Sequence, residues 1–235
     1  MIQTAIQTRH HQAPAASWTG RAPRKTAPVP AAGAAMRPFE TKFSVKAGGT
    51  VFDEGDEAIY FYKLLTGSLR LVKVVADGHR QICDFHVPGD LVGFSNAAEH
   101  EFSAEAIQDC TLIRYRRRDT DSLIKSDAAF ACELQALTAR GLSSAYAHMV
   151  RLCHRSAYDR LAWFLLAMVD RSQSSDGWVA LPMTRIDIAD YLGMAHETVS
   201  RAFTQLKKSG VIIEPTLNHI KLVDRDALED QLYAA

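Results

Sequence analysis

Residues 184–206 read Thr184-Arg-Ile-Asp-Ile-Ala-Asp-Tyr-Leu-Gly193-Met-Ala-His196-Glu-Thr-Val-Ser-Arg201-Ala-Phe-Thr-Gln-Leu206. The spacing is that of two short helices joined by a tight turn. Thr184 stands where an N-cap belongs, and Asp187, three positions on, offers a weaker form of the reciprocal capping box. Ile188 and Leu192 lie four apart on one face, and Val199 and Phe203 repeat that interval on the second helix. Ala189 is small where the helices must cross, and Gly193 sits where a positive φ is needed to leave the first helix. Each position has a steric reason, so the reading is a helix-turn-helix with predicted helices at Thr184–Leu192 and Ala195–Ser209.

The second helix carries His196, Glu197, Ser200 and Arg201 within its first two turns, the part of such a unit that enters a DNA major groove. Arginine can donate two bonds to guanine O6 and N7, glutamate accepts from a cytosine amino group, and serine pairs with either. Arg185 and Thr198 are placed to reach phosphate. Thr184, Arg185, His196, Glu197, Thr198, Ser200 and Arg201 are therefore the candidate DNA-contacting residues. The competing reading of Glu197 and Arg201 is a plain surface ion pair at i,i+4.

Outward from this unit, His219–Val223 and Val211–Ile213 read as two strands, a β-wing, and Trp178–Leu181 as a short strand before it. Ala157–Arg171 is helical, with Leu161, Trp163, Phe164, Leu165 and Leu166 clustered on it. From Asp127 the apolar positions Phe130, Leu134, Leu137, Leu142, Ala145, Met149 and Leu152 step by threes, fours and one five. A stripe so long and narrow suits a helix packed lengthwise on another helix, or on its own β domain, or on both at different heights. From Phe39 to Tyr115 short β-rich runs alternate with glycine turns at 47–49, 54–56, 66–68, 77–79 and 88–90. Strands Ile59–Leu65, Leu69–Val75 and Ile82–Val87 separated by such turns indicate a sandwich or jelly roll. The run Arg114-Tyr-Arg-Arg-Arg118 reads as a solvated turn leaving the last of these strands. Residues 1–37 hold much Ala and Pro and no acidic side chain, and read as a disordered basic arm. Its composition superficially matches an organellar transit peptide.

The 235 residues carry 27 basic and 27 acidic side chains. That balance excludes a histone-like polycation, so any nucleic-acid contact must come from a local surface. No apolar run reaches the length of a membrane helix. The four cysteines, Cys83, Cys110, Cys132 and Cys153, form no CxxC pair, which points to a reducing, cytoplasmic setting with each thiol as a small core residue. His79, His86 and His100 lack the HxH spacing of a cupin metal site, and His196-Glu197 has no second histidine for a zincin. No P-loop or nucleophile elbow is present. The chain therefore reads as no enzyme, with no cofactor and no metal.

With these motifs in hand, residues 39–232 resemble the cyclic-AMP receptor protein/FNR superfamily of bacterial transcription regulators. The resemblance rests on the glycine-turn series, on Pro88-Gly-Asp-Leu-Val-Gly93, on the long helix, and on Asp190-Tyr-Leu-Gly-Met-Ala-His-Glu-Thr-Val-Ser-Arg201. It implies an α+β architecture: an N-terminal cyclic-nucleotide-binding-type β jelly roll at 38–126, a dimerisation helix at 127–156, and a C-terminal winged helix-turn-helix at 157–235. It also implies a homodimer on palindromic promoter DNA, with RNA polymerase as a further partner. The FNR-like and FixK-like branch carries a Glu-x-x-Ser-Arg pattern, matched by Glu197, Ser200 and Arg201, that reads a TTGAT half-site. The implied target is TTGAT-N4-ATCAA.

The resemblance also says what to expect of the jelly roll. The cyclic-AMP branch holds its ligand with Gly-Glu and then Arg-Ser, where this chain has Gly93-Phe94 and Phe102-Ser103. Without a cation, a buried phosphate is left uncompensated. FNR's iron–sulfur cluster needs N-terminal thiolates, and residues 1–82 contain no cysteine. The FixK-like branch is the best match, through Leu181-Pro-Met-Thr-Arg185 and Asp190-Tyr-Leu-Gly193. Some of its members carry an oxidisable cysteine where Thr184 stands here, leaving Cys153 as the remaining redox candidate against its reading as a buried helix residue. The resemblance implies activation of microaerobic, denitrification or nitrogen-fixation genes. The alternatives are a redox- or ligand-responsive regulator of another pathway, and a cyclic-nucleotide-binding regulatory module.

Overall fold

A computed structural model describes residues 41–75, 78–153, 156–172 and 176–233. The expected N-terminal arm at 1–37 lies outside the described residues. The first half is a jelly roll of two four-stranded antiparallel sheets. One has the order β1 (Thr41–Val45), β8 (Cys110–Arg116), β3 (Tyr60–Thr66), β6 (Leu91–Val92); the other runs β2 (Thr50–Phe52), β7 (Ser103–Ala106), β4 (Leu69–Val74), β5 (Arg80–His86). Alternation turns Tyr62, Leu64, Leu112, Leu69 and Ala104 in between the sheets and Phe61 to the opposite face of β3, because successive strand residues face opposite sides. The turns between strands are glycine-led as expected. Gly67 is the strictest of them. Its φ is +87°, and a Cβ there would stand 2.4 Å from the Asp109 carbonyl oxygen.

The arginine run 114–118 is not a solvated turn. Arg114 and Arg116 are paired within β8, where Arg114 stands opposite both Thr41 and Tyr62. Arg117 begins α1 (Arg117–Ser126), which buries Leu123 against Phe61, Ile113 and Tyr115. The next helix, α2 (Ala128–Leu152), has 25 residues and so runs about 37 Å. Its first half covers the jelly roll with Phe130 and Leu134. Its second half leaves Leu142, Tyr146, Met149 and Val150 exposed. The stripe read from the sequence is thus buried on the jelly roll along its first half and open along its second.

The cysteines correct an expectation. Cys110 is buried, because the alternation of β8 turns it inward, and its thiol donates to the Ser68 and Gln108 carbonyls; burial pushes that thiol's pKa up. Cys83 is half-buried, and Cys132 and Cys153 are exposed. Both of the exposed pair follow from α2, which presents only one stripe to the jelly roll, so positions off that stripe and at its end face outward.

The C-terminal part is α3 (Ala157–Ser172), β9 (Trp178–Ala180), α4 (Arg185–Leu192), α5 (His196–Lys208), β10 (Ile212–Thr216), β11 (His219–Leu222) and α6 (Arg225–Tyr233). Its three strands form one antiparallel sheet in the order β10-β11-β9. Leu161, Phe164 and Leu165 of α3 pack under Ile188, Leu192, Val199, Phe203 and Leu206. Val72, Ile82 and Phe85 of the jelly roll belong to this same cluster, so the two halves share one core.

Candidate nucleic-acid interface

The helix-turn-helix is built from its caps inward. Thr184 is the N-cap of α4, and the full capping box forms: the Thr184 hydroxyl accepts from the Asp187 N–H at 3.1 Å, and Asp187 Oδ2 accepts from the Thr184 N–H at 2.9 Å. An aspartate, one methylene shorter than the usual glutamate, suffices. Gly193 ends the helix in the left-handed region at φ 61°, and the Met194 N–H turns back to the Ala189 carbonyl. No side chain caps α5, whose N-cap is Ala195. The Thr198 N–H bonds back to the Ala195 carbonyl at 2.9 Å, and the positive end of the helix dipole carries no side-chain cap.

On α5, Val199, Ala202, Phe203 and Leu206 are buried, and the opposite face is open. His196, Glu197 and Arg201 are exposed, and Thr198 and Ser200 are half-buried. Among the described residues no ion pair joins Glu197 to Arg201, so the carboxylate and the guanidinium are not engaged with each other. A shallow groove runs along this face, lined by Ser200, Arg201, Thr204, Gln205 and Lys208. The last three were not singled out from the sequence. The signal for them was the continuation of Ser200 and Arg201 by intervals of three and four along one helix.

Two of the seven candidate residues are used differently from the expectation. The Thr184 hydroxyl both accepts within the capping box and donates to Asp187 Oδ2 at 2.8 Å, so it is committed to α4. Arg185, expected to reach phosphate, folds inward instead. Its guanidinium lies over the Phe203 ring, 3.2 Å from the centroid, and pairs with Glu214 of β10. Glu214 also takes Lys207 at 2.7 Å, and its side chain is only 4% exposed. Burial pushes the Arg185 guanidinium down to about 10, so it is still charged at neutral pH and needs the carboxylate beside it. Arg185 thus braces the wing against the second helix.

The first helix is tied to the jelly roll. Asp187, 1% exposed, uses its second oxygen to accept from Arg70 of β4 and Arg80 of β5, each at 2.8 Å. Burial alone would raise this carboxyl; the bonds from Thr184, with Arg70 and Arg80, outweigh it and hold the pKa below the usual carboxylate range.

Residues 42–127 match the cyclic nucleotide-binding domain family, and residues 159–231 match the Crp-like helix-turn-helix domain family. The nitrogen fixation regulation protein FixK of Bradyrhizobium diazoefficiens is 40% identical over 185 residues, covering 76% of this chain and 78% of that protein. FixK of Rhizobium meliloti is 36% identical over 183 residues, covering 78% and 83%. The chain belongs to the FixK branch of the CRP/FNR superfamily. The solved structure of FixK2 from Bradyrhizobium japonicum superposes with a TM-score of 0.75 at 39% identity, covering 81% of this chain and 96% of that one. Like these relatives, this FixK-type chain is a transcription regulator with a helix-turn-helix DNA-binding domain.

In this FixK-type jelly roll the turn after Pro88-Gly-Asp is held by a side chain of its own. Arg117 donates to the Gly93 and Ala97 carbonyls, each at 2.7 Å. Phe94 packs edge-on against Phe61 at 4.9 Å, and Phe102 lies beneath the Lys73 ammonium. Among the described residues no group of His, Cys, Asp and Glu is arranged to hold a metal ion. None of the described helices is long and apolar enough to cross a membrane.

Proposed function

We propose that the chain is a homodimeric transcription activator that reads TTGAT-N4-ATCAA, with nitrogen-fixation or microaerobic genes as targets. The observation that carries this reading is the open face of α5, which brings Glu197, Ser200 and Arg201 together on the first two turns, unpaired with one another. Arg201 donates to guanine, Glu197 accepts from cytosine, and Ser200 bridges between them. His196 lies beside them at the helix start. Thr198 and the uncapped N–H groups of α5 take phosphate oxygens. Arg185 and Thr184 support the unit from within.

The exposed Leu142, Tyr146, Met149 and Val150 on α2 supply the apolar seam for a second copy. Two copies joined there present two α5 helices to successive turns of the groove, about 34 Å apart. The nitrogen-fixation assignment follows the names of the FixK relatives. The jelly roll's outer surface is then available to RNA polymerase, and the cytoplasm is where all these partners meet.

The test is equilibrium binding of the full chain to a duplex bearing the palindrome and to one with both half-sites scrambled, over a range of salt. The palindrome is expected to bind at least about 1000-fold more tightly, with affinity falling steeply as salt rises. Equal affinity for the two duplexes at low salt overturns the reading.

A further inference from the structure

Between the halves of the molecule runs a chain of alternating charges. Glu105 of β7 pairs with Arg70 at 2.7 Å, Arg70 with Asp187 at 2.8 Å, Asp187 with Arg80 at 2.8 Å, and Arg80 with Asp190 at 2.9 Å. Gln81 adds a bond from its amide to the Asp190 carbonyl at 2.5 Å. Three of the charged groups and Gln81 lie on the jelly roll, and the two aspartates lie on α4. Beneath them Phe85 of β5 packs against Tyr191 and Phe164, with centroids 5.0 and 6.1 Å away. Polar and apolar contacts thus cover the same face of α4.

Asp187 makes this more than a docking contact. One of its oxygens starts α4 and the other receives the jelly roll. A carboxylate bonded on both sides cannot turn, and the helix it caps cannot rotate about its axis without breaking one set of bonds. Helix α5 packs on α4 through Val199 and Phe203, so its direction follows. The first half of α2 is packed on the same jelly roll through Phe130 and Leu134. In a dimer joined along α2, the separation and angle of the two α5 helices are therefore set through the jelly roll.

We propose that Arg70 and Arg80, with Asp187 and Asp190, are positioning residues that fix the spacing between the half-sites the dimer accepts. They touch no base. They hold the reading head in one orientation, so that both helices meet a four-base-pair spacer together. This rests on the palindrome reading above. When the chain of charges is cut, the domain samples other orientations. If only one molecule in ten to one in a hundred is then correctly posed, the affinity for the matched site falls about 10- to 100-fold. Mismatched spacers lose little, because they never profited from the fixed pose.

The experiment measures the affinity of the full chain for palindromes with spacers of three, four, five and six base pairs, and for a single half-site with its guanine intact or replaced. The wild type is compared with the Arg70→Met/Arg80→Met double variant and with Arg80→Lys. Methionine keeps the apolar stem and removes the charge. The expected result is a flattened spacer profile in the double variant, with guanine discrimination on the half-site unchanged and the profile partly recovered in Arg80→Lys. A double variant that keeps the wild-type profile, whether at unchanged or uniformly lower affinity, overturns the proposal. Should the double variant fail to fold, Arg80→Met and Asp190→Asn carry the same readout, and a wild-type profile in both counts against it equally. A wild type that ignores the palindrome altogether defeats the palindrome reading instead, so the two failures are told apart.

Discussion

Replacing Asp187 by asparagine changes one atom in a fully enclosed place. The carboxylate accepts four bonds: two from Thr184 at 2.9 and 2.8 Å, and one each from Arg70 and Arg80 at 2.8 Å. An amide has one accepting oxygen and one donating nitrogen. If the oxygen faces the arginines, the NH2 faces the Thr184 N–H, and the capping box is lost at a cost of about 0.5–2 kcal/mol. If it faces Thr184, two guanidinium groups meet a donor. In either pose the buried charge that both arginines neutralise is gone, and breaking such a pair costs roughly 3–5 kcal/mol. Arg70 keeps Glu105 and Arg80 keeps Asp190, so the total belongs at the lower end, about 3 kcal/mol by the same scale. At a urea sensitivity of about 2 kcal/mol per molar, the unfolding midpoint falls by roughly 1.5 M. Thr184→Ala, which removes only the hydroxyl, serves as the internal comparison at about 1 kcal/mol. Urea unfolding followed by far-ultraviolet circular dichroism reads both. An Asp187→Asn protein within about 0.5 kcal/mol of wild type would refute the reasoning, since that is the scale of an ordinary surface change.

The Asp187 carboxyl is held below its unfolded value of about 3.9, so its stabilising share is complete above that pH and disappears as pH falls through the lower, folded value. Acid titration of unfolding free energy below about pH 4 is expected to be less steep in Asp187→Asn. Arg201→Ala is expected to weaken binding by about 1–3 kcal/mol per half-site and to relax discrimination at the guanine, with stability unchanged because the side chain is exposed; competition with guanine-substituted duplexes checks it. Glu214→Ala leaves Arg185, 12% exposed, beside no carboxylate. The expected cost is about 3–5 kcal/mol of stability, read by thermal unfolding.

The parts of the fold that were legible are those whose signals are local. The helix-turn-helix was readable because Ile188/Leu192 and Val199/Phe203 repeat at four, and because Thr184, Asp187 and Gly193 carry the caps. The jelly roll was readable from glycine turns between β-rich runs. Helix α1 was hidden because Arg117-Arg-Asp-Thr-Asp121 offers charges and no stripe, and only Leu123 of its residues is buried among the hydrophobics. Arg185 was misplaced for a tertiary reason. A cation at a helix start invites a phosphate, but its partner Glu214 arrives 29 positions later on the wing. The link from Arg70 and Arg80 to Asp187 spans 117 and 107 positions, and no periodicity carries information over that distance. The exposed Cys132 of α2 and Cys153 just past its end were misread because burial tendency speaks of residue types, whereas a helix buries only the face that meets a neighbour.

The shared carboxylate Asp187 also limits modular exchange. Grafting this jelly roll onto a foreign reading head succeeds only if the newcomer brings acids at two sites three residues apart, ready for Arg80. A chimera that omits them leaves the Arg80 guanidinium stranded at the seam, while Arg70 keeps Glu105 of its own jelly roll. Shuffling of parts within such a lineage is thereby confined to donors that already share the same electrical joint.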